Sequence, residues 1–340
     1  KMMNEEEYDI DKAWSDFCID GEINNFNENN IIENDNFIPK ATDIYISTKT
    51  QIAYLSQEIE LAKVFWAIKV LPYHVQSEGI VKKQMKFNFS NQEKVDEVTN
   101  IIKNEKNVDE HIISRIINPT GRITFRDIRK ISIGLCKKDI LSYRSKKKSA
   151  FYNCFVLILR IKIEEEFKEI HIKVFNTGKL EIPGIRDDTI LKYSLDLLTK
   201  TLKQYTNNNI YCNNNYETVL INSNFNCGFY INRDKLLDIL KYKYKIDCIF
   251  DSCQYPGIQC KYLINKNNID YKLSFMIFRT GSILIVGKCN EDVLKDVYNF
   301  IRKILEDEYK DIYVNISSEE KPLVKNKKKE RRRIIFIEKN

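Results

Sequence analysis

Val174-Phe175-Asn176-Thr177-Gly178-Lys179-Leu180-Glu181-Ile182-Pro183-Gly184 and Ile277-Phe278-Arg279-Thr280-Gly281-Ser282-Ile283-Leu284-Ile285-Val286-Gly287 are two versions of one stretch. Phe175 and Phe278, Gly178 and Gly281, and Gly184 and Gly287 each stand 103 residues apart. A period this long exceeds the roughly 20–50 residues of a solenoid unit, so it marks two copies of one half-domain. A duplicated half presents a pseudo-two-fold surface, suited to a ligand with two-fold character.

Both copies extend outward in the same order. In the second, Thr218 to Phe225 reads as a strand, Asn232 caps a helix through Leu236, Ile239 and Leu240, and Ile258 to Ile264 is a strand. Strands around Thr280-Gly281 follow, and Val293, Val297, Phe300, Ile301 and Ile304 make the apolar stripe of a closing helix. In the first, a β-prone run from Ile44 to Ala53 precedes a helix marked by Leu61, Val64, Phe65 and Ile68. Phe155 to Ile163 and two strands joined at Thr177-Gly178 come next, then a helix through Leu191, Leu195, Leu198 and Leu202. The pattern predicts helices on one face of an antiparallel sheet, with the other face free.

The copies differ by an insertion over residues 72–149, in which 17 Lys or Arg stand against 9 Asp or Glu. It carries Lys82-Lys83-Gln84-Met85-Lys86-Phe87 and the run Arg144-Ser145-Lys146-Lys147-Lys148. Basic strands with interleaved aromatics suit nucleic acid, and a packing or protein-recruiting embellishment fits equally. The organisation expected is an acidic arm (1–41), a first repeat (42–206) holding the insertion, a second repeat (207–309) and a basic tail (310–340).

Charge is distributed unevenly along the 340 residues. The net charge is +7, yet residues 1–40 hold eleven Asp or Glu against Lys1, Lys12 and Lys40. That segment is Asn-rich and reads as a disordered arm, in which Ala13-Trp14-Ser15-Asp16-Phe17-Cys18 fits a docking helix or an ordinary terminal one. The Lys325–Arg333 cluster suits phosphates, an import receptor or an acidic partner, and equally a solvated tail. With 43% hydrophobic residues, no long apolar span and no signal-peptide pattern, a soluble intracellular protein is expected.

Metal and enzyme chemistry find little support in the residue pattern. The nine cysteines form no Cys-x-x-Cys pair, and Cys248, Cys253 and Cys260 are spaced wrongly for a zinc finger in a chain with three histidines. There is no phosphate-binding Gly-rich loop, no His-Glu-x-x-His and no nucleophile with its base. Asp187-Asp188 stands at a helix start, where carboxylates compensate the helix dipole. No catalytic residue, metal or cofactor is assigned, and no small-molecule substrate is expected.

Strand alternation puts Phe175 on one face with His171, Lys173, Thr177, Lys179 and Glu181, and Phe278 with Met276, Thr280, Leu284 and Val286. An aromatic held before a tight turn on a helix-free face is either an exposed wedge or a core residue. Tyr255-Pro256-Gly257-Ile258-Gln259-Cys260-Lys261 and Phe278-x-Thr280-Gly281-x-Ile283-Leu284-x-x-Gly287 resemble motifs of the TATA-box-binding protein family, and Val174 to Lys179 resembles them more closely. The resemblance spans about 42–70 and 150–309, and its Asn-, Ile- and Lys-rich bias points to a divergent branch such as that of a large DNA virus.

This resemblance implies an α+β saddle: two pseudo-symmetric repeats forming a curved antiparallel sheet, with helices on the convex face. It also implies minor-groove binding and bending of AT-rich double-stranded DNA, where wedge residues unstack base steps and A·T pairs deform readily. Phe175, Tyr255 and Phe278 resemble three of four wedges. The fourth is expected six residues before Arg160, as Tyr255 lies six before Lys261; Cys154 stands there, and Tyr152, of like parity, is its substitute. Arg160, Lys179 and Lys261 resemble phosphate contacts, and Thr177, Thr280, Leu284 and Val286 groove-floor positions. Lys173 and Glu181 depart from the family's apolar floor. Asp251 alone keeps the acidic character that the family uses toward transcription factor IIB, so a factor of that type and the RNA polymerase machinery are the implied partners.

Overall fold

The computed structural model describes residues 38–141, 152–206, 209–213 and 215–315. The acidic arm with its Ala13–Cys18 segment, the Arg144–Lys148 run and the Lys325–Arg333 cluster lie outside the described residues. The described residues divide into two compact units, one lying within 48–218 and the other combining 38–47 with 219–315.

The first unit is an open antiparallel sheet in the order β3-β4-β2-β5-β6-β7-β1. Its strands are β1 (Tyr45–Tyr54), β2 (Gly79–Phe89), β3 (Val108–Ile117), β4 (Phe125–Gly134), β5 (Cys154–Ile163), β6 (Glu166–Phe175) and β7 (Lys179–Pro183). Its helices are α1 (Leu61–Ala67), α2 (Gln92–Lys103), α3 (Lys137–Leu141) and α4 (Asp188–Lys203). Phe155, Leu157, Leu159 and Ile161 alternate onto one face of β5 and pack with Val64 and Phe65 of α1, Val95 and Val98 of α2, and Leu191, Leu195 and Leu198 of α4. The helices therefore share one face of the sheet. Asp187 caps α4, its carboxylate accepting from the Thr189 N–H at 2.8 Å, a bond that also holds that carboxyl below its ordinary pKa.

The second unit repeats the design with strands β8 (Glu217–Asn226), β9 (Asp247–Ile249), β10 (Gly257–Lys266), β11 (Ile269–Phe278) and β12 (Ser282–Gly287), ordered β8-β12-β11-β10-β9. Its helices are α5 (Arg233–Asp238), continued by a π-helical turn at Ile239–Lys243, then α6 (Glu291–Asp307) and α7 (Tyr309–Ile312). Asn232 and Asn290 cap α5 and α6 through the Lys235 and Val293 N–H groups. Val293, Val297, Ile301 and Ile304 bury the α6 stripe against Phe275, Ile277, Ile283 and Ile285, and each such burial stabilises by about 1.5–3 kcal/mol.

Residues 42–47, expected with the first repeat, pack on the second core, as does Ala41. Ala41, Ile44 and Ile46 join that core, and the Thr42 N–H donates to Asn226 O at 2.8 Å.

Backbone hydrogen bonds confirm the duplication atom by atom. Leu55 N donates to Gly178 O and Ile59 N to Asn176 O; in the second unit Cys227 N donates to Gly281 O and Ile231 N to Arg279 O. Strands and helices before the insertion match at an offset of 172 residues (Leu55 with Cys227), and those after it at 103 (Gly178 with Gly281), so the first repeat carries 69 extra residues. Gly178 and Gly281 turn at φ +80° and +76°, and a Cβ would meet Gln57 O at 2.5 Å and Phe229 O at 2.2 Å. Glycine is required at both.

The insertion builds β2, α2, β3 and β4, which widen the first sheet beyond β5, while α2 joins the helix layer. Lys83 of β2 points into that layer, 1% exposed, and donates to Phe65 O at 2.8 Å and Ile68 O at 2.7 Å at the end of α1. Arg129 of β4 forms a two-pronged pair with buried Asp127 and a third bond to Glu110 at 2.8 Å. Among the described residues no helix is long and apolar enough to cross a membrane.

Candidate nucleic-acid interface

Strand register decides which side chains meet on the helix-free faces. In the second unit Gly257 stands opposite Phe278, Met276 opposite Gln259 and Leu284, and Val286 opposite Asn222. Leu220, Met276 and Val286 form an apolar cluster on this face, with Tyr255, Phe278 and Leu284 packed against it. Tyr255 and Phe278 lie 5.9 Å apart at 58°, half-buried at the strand end. Glycine makes this pairing possible, because a Cβ at Gly257 would lie 3.1 Å from the Phe278 ring and 3.2 Å from the Tyr255 ring. Thr280 is exposed in the turn beside them.

Asp251 shapes the approach to Tyr255. Its carboxylate accepts from the Cys253 N–H at 2.9 Å and its carbonyl from the Tyr255 N–H at 2.9 Å, so it builds the turn that delivers the ring. Lys261 is exposed on the same helix-free face, opposite Ser274.

The first unit has the same positions with different contents. Cys154 stands opposite Phe175 as Gly257 stands opposite Phe278. This register corrects the expectation drawn from Arg160: Cys154 matches the glycine, Tyr152 matches Tyr255, and the counterpart of Lys261 is Ile158. Cys154 is buried, and burial pushes its thiol up to about 11. Its side chain fills the place that Gly257 leaves empty. Tyr152 lies instead against Lys86, whose Nζ is 3.7 Å from the ring centroid, and Phe175 has Lys179 Nζ at 5.7 Å. Thr177 is exposed in the turn.

Arg160 departs from its expected role as a phosphate contact. Its guanidinium donates to Tyr73 O at 3.1 Å and Val75 O at 3.0 Å, lies 3.8 Å from Glu169 and stacks on Tyr73. A buried arginine with internal partners fixes the loop before β2 rather than meeting an outside anion. Lys173 and Glu181, which break the apolar floor, stand opposite each other and pair at 2.6 Å. They occupy the positions of Met276 and Leu284, so an ion pair replaces an apolar pair.

Sequence reasoning did not connect Tyr152 with Lys86 and Arg126. The signal was present in the alternation of Lys82, Gln84 and Lys86 against Met85, Phe87 and Phe89, which sets the lysines and the aromatics on opposite faces. Among the described residues no group of His, Cys, Asp or Glu could hold a metal ion.

No family model matches the chain. It is similar to the "TATA-box-binding protein-like" protein of Acanthamoeba polyphaga mimivirus, 29% identical over 202 residues. That match takes in 52% of this chain and 54% of the relative, so the chain spans about half the length of the curated relative it matches. Among solved structures, Methanococcus jannaschii TBP aligns with 80% of this chain and 99% of its own at 13% identity, with a TM-score of 0.37. The fold is α+β, with a large open antiparallel sheet and helices on one face of each unit. The duplicated half and the mimivirus likeness mark a divergent TATA-box-binding-protein-like protein. The relative it matches is viral.

Proposed function

We propose that this protein binds AT-rich duplex DNA through the helix-free faces of its two units, bends it from the minor groove and recruits transcription machinery. The observation carrying this reading is the Tyr255–Phe278 pair, two half-exposed aromatics backed by the Leu220, Met276 and Val286 cluster at a strand end. Apolar wedges of this kind unstack a base step, and the cost of about a few kcal/mol is offset by contact with the widened groove. Phe175 and Tyr152 take the corresponding places in the first unit. Lys179 and Lys261 contact phosphates, Thr177, Thr280, Leu284 and Val286 line the groove, and a transcription factor IIB-like protein docks near Asp251.

A circular-permutation bending assay on selected AT-rich duplexes tests the reading. Salt-sensitive binding with a bend is the expected result. Absence of both at low salt would sink it.

A second reading follows from Lys173–Glu181 and Cys154, which make the first unit's face less suited to a groove floor. In it the fold serves as a protein-docking scaffold. Capture of polymerase or initiation-factor homologues without protection of promoter DNA would favour this alternative.

A further inference from the structure

The insertion ends the first unit's sheet in a ten-residue edge strand. Among the described residues β3 has a strand neighbour, β4, on one side only, so its outer side presents backbone N–H and C=O groups away from the sheet. Exposed edges are ordinarily blunted by lysine, proline or brevity. The edge strand β9 of the second unit is three residues long. β3, which reads Val108-Asp109-Glu110-His111-Ile112-Ile113-Ser114-Arg115-Ile116-Ile117, has neither lysine nor proline. Ile112, Ile113 and Ile117 are 45%, 39% and 60% exposed along it.

Its one irregularity is a bulge. Ile112 stands opposite Arg129 and Ser114 opposite Ile128, so Ile113 is an extra residue. Before it, Val108 and Glu110 stand opposite Ile133 and Ile131; after it, Arg115 and Ile117 stand opposite Asp127 and Phe125, which alternate onto the same helix side of β4. Glu110 and Arg115, five residues apart, therefore share a face, which simple alternation forbids.

This makes the strand self-complementary. About a two-fold axis between Ile112 and Ile113, an antiparallel copy sets Glu110 opposite Arg115, Val108 opposite Ile117 and Ile112 opposite Ile113, each pair formed twice. Asp109 then meets Ile116 and His111 meets Ser114 on the other face. Opposite charges and β-branched side chains at such cross-strand positions are stabilising. Glu110 accepts from Arg129 at 2.8 Å, and Arg115 donates to Gln92 at 3.1 Å with its Nε 3.5 Å from Asp127. Their side chains stay 30% and 41% exposed, and a carboxylate and a guanidinium each have capacity for a further partner.

The bulge also selects the occupant. A regular strand laid along β3 loses register where two residues oppose one, whereas a two-fold copy brings its own bulge to the same point. We propose that β3 pairs antiparallel with β3 of a second copy of this chain, which makes the insertion an isologous homodimer interface. The surface belongs to the first unit alone and is independent of the DNA-binding reading.

Sedimentation of the full chain over a concentration series tests this. A monomer–dimer equilibrium is expected, with a dissociation constant of about 1–100 μM for a small interface. Ile112→Lys with Ile113→Lys sets four like charges at the axis and should weaken the dimer about 10-fold or more, while the Tm holds within about 3 °C because both side chains are exposed. Chains carrying Glu110→Arg or Arg115→Glu should each be monomeric alone and form a one-to-one dimer when mixed, since the mixture restores both charge pairs about the axis.

A chain that stays monomeric up to about 200 μM would overturn the proposal, and would fit an edge taken up by another segment of the same chain. So would a dimer indifferent to the two lysines, which must use another face, or a charge-reversed mixture that stays monomeric. Should either set of variants lose its circular-dichroism signal for the fold, the other decides.

Discussion

The two units share a backbone plan down to individual hydrogen bonds, yet their helix-free faces have been furnished differently. The second has a glycine under two aromatics and an apolar floor of Leu220, Met276, Leu284 and Val286. The first has Cys154 in place of the glycine, an ion pair in place of Met276 and Leu284, and added strands that bring Lys86 against Tyr152. The lesson is that duplication constrains turns and core, where any change meets backbone, and leaves the helix-free face free to diverge. One face sets two aromatics over an apolar floor; the other combines an aromatic with cations.

The strongest way to break this comparison is to remove the wedges separately. Tyr255→Ala with Phe278→Ala should cost about 4 kcal/mol of DNA binding, from about 1–3 kcal/mol per stacked base, and abolish the bend. Tyr152→Ala with Phe175→Ala should cost less, because Tyr152 is engaged with Lys86. Equal losses, measured by fluorescence anisotropy, would show that the faces act alike.

The turns should fail to distinguish the units. Gly178→Ala and Gly281→Ala each drive a Cβ into a carbonyl at positive φ, and each should destabilise by about 3 kcal/mol or more in chemical denaturation. A tolerated alanine at either turn would break the equivalence.

Lys83 sharpens the contrast at the helix layer, since α5 is continued by a π-helical turn where α1 is closed by this lysine. Burial pushes its ammonium down to about 8 from the ordinary 10.5. Between those values the unfolded chain binds more protons than the folded one, so stability rises with pH across about 8 to 10.5. The gain is at most about 3 kcal/mol. Lys83→Met should flatten that rise; an unchanged pH profile of stability would rule the account out.

The smallest effect concerns the floor. Lys173→Met combined with Glu181→Leu restores the second unit's apolar pair, and should change stability by about 1 kcal/mol or less while tightening DNA binding. Glu181→Leu alone should be worse than the double change, since it strands a half-buried ammonium. A double-mutant cycle with no coupling would refute the pairing.

The resemblance to one family, the repeat, its turns and the helix caps were all legible in the residues. The expected partner of Tyr255 went astray because two cations, Arg160 and Lys261, were matched across the repeats. The offset of 103 applied to Tyr255 itself gives Tyr152, in keeping with Cys154 standing opposite Phe175 as Gly257 stands opposite Phe278. Arg160 shows why a basic residue at strand parity is a weak guide: the loop that takes up its guanidinium comes from Tyr73 and Val75, more than 80 residues earlier.

The sequence by itself determined the duplicated halves, the helices and the face each strand residue occupies, because turn conformation and side-chain alternation are properties of a few consecutive residues. Tertiary structure decided which strands became neighbours. Only that pairing joined Lys173 to Glu181, set Lys86 opposite Lys130 and brought Tyr152 against Lys86, since hydrogen bonding between strands brings together residues far apart in the chain.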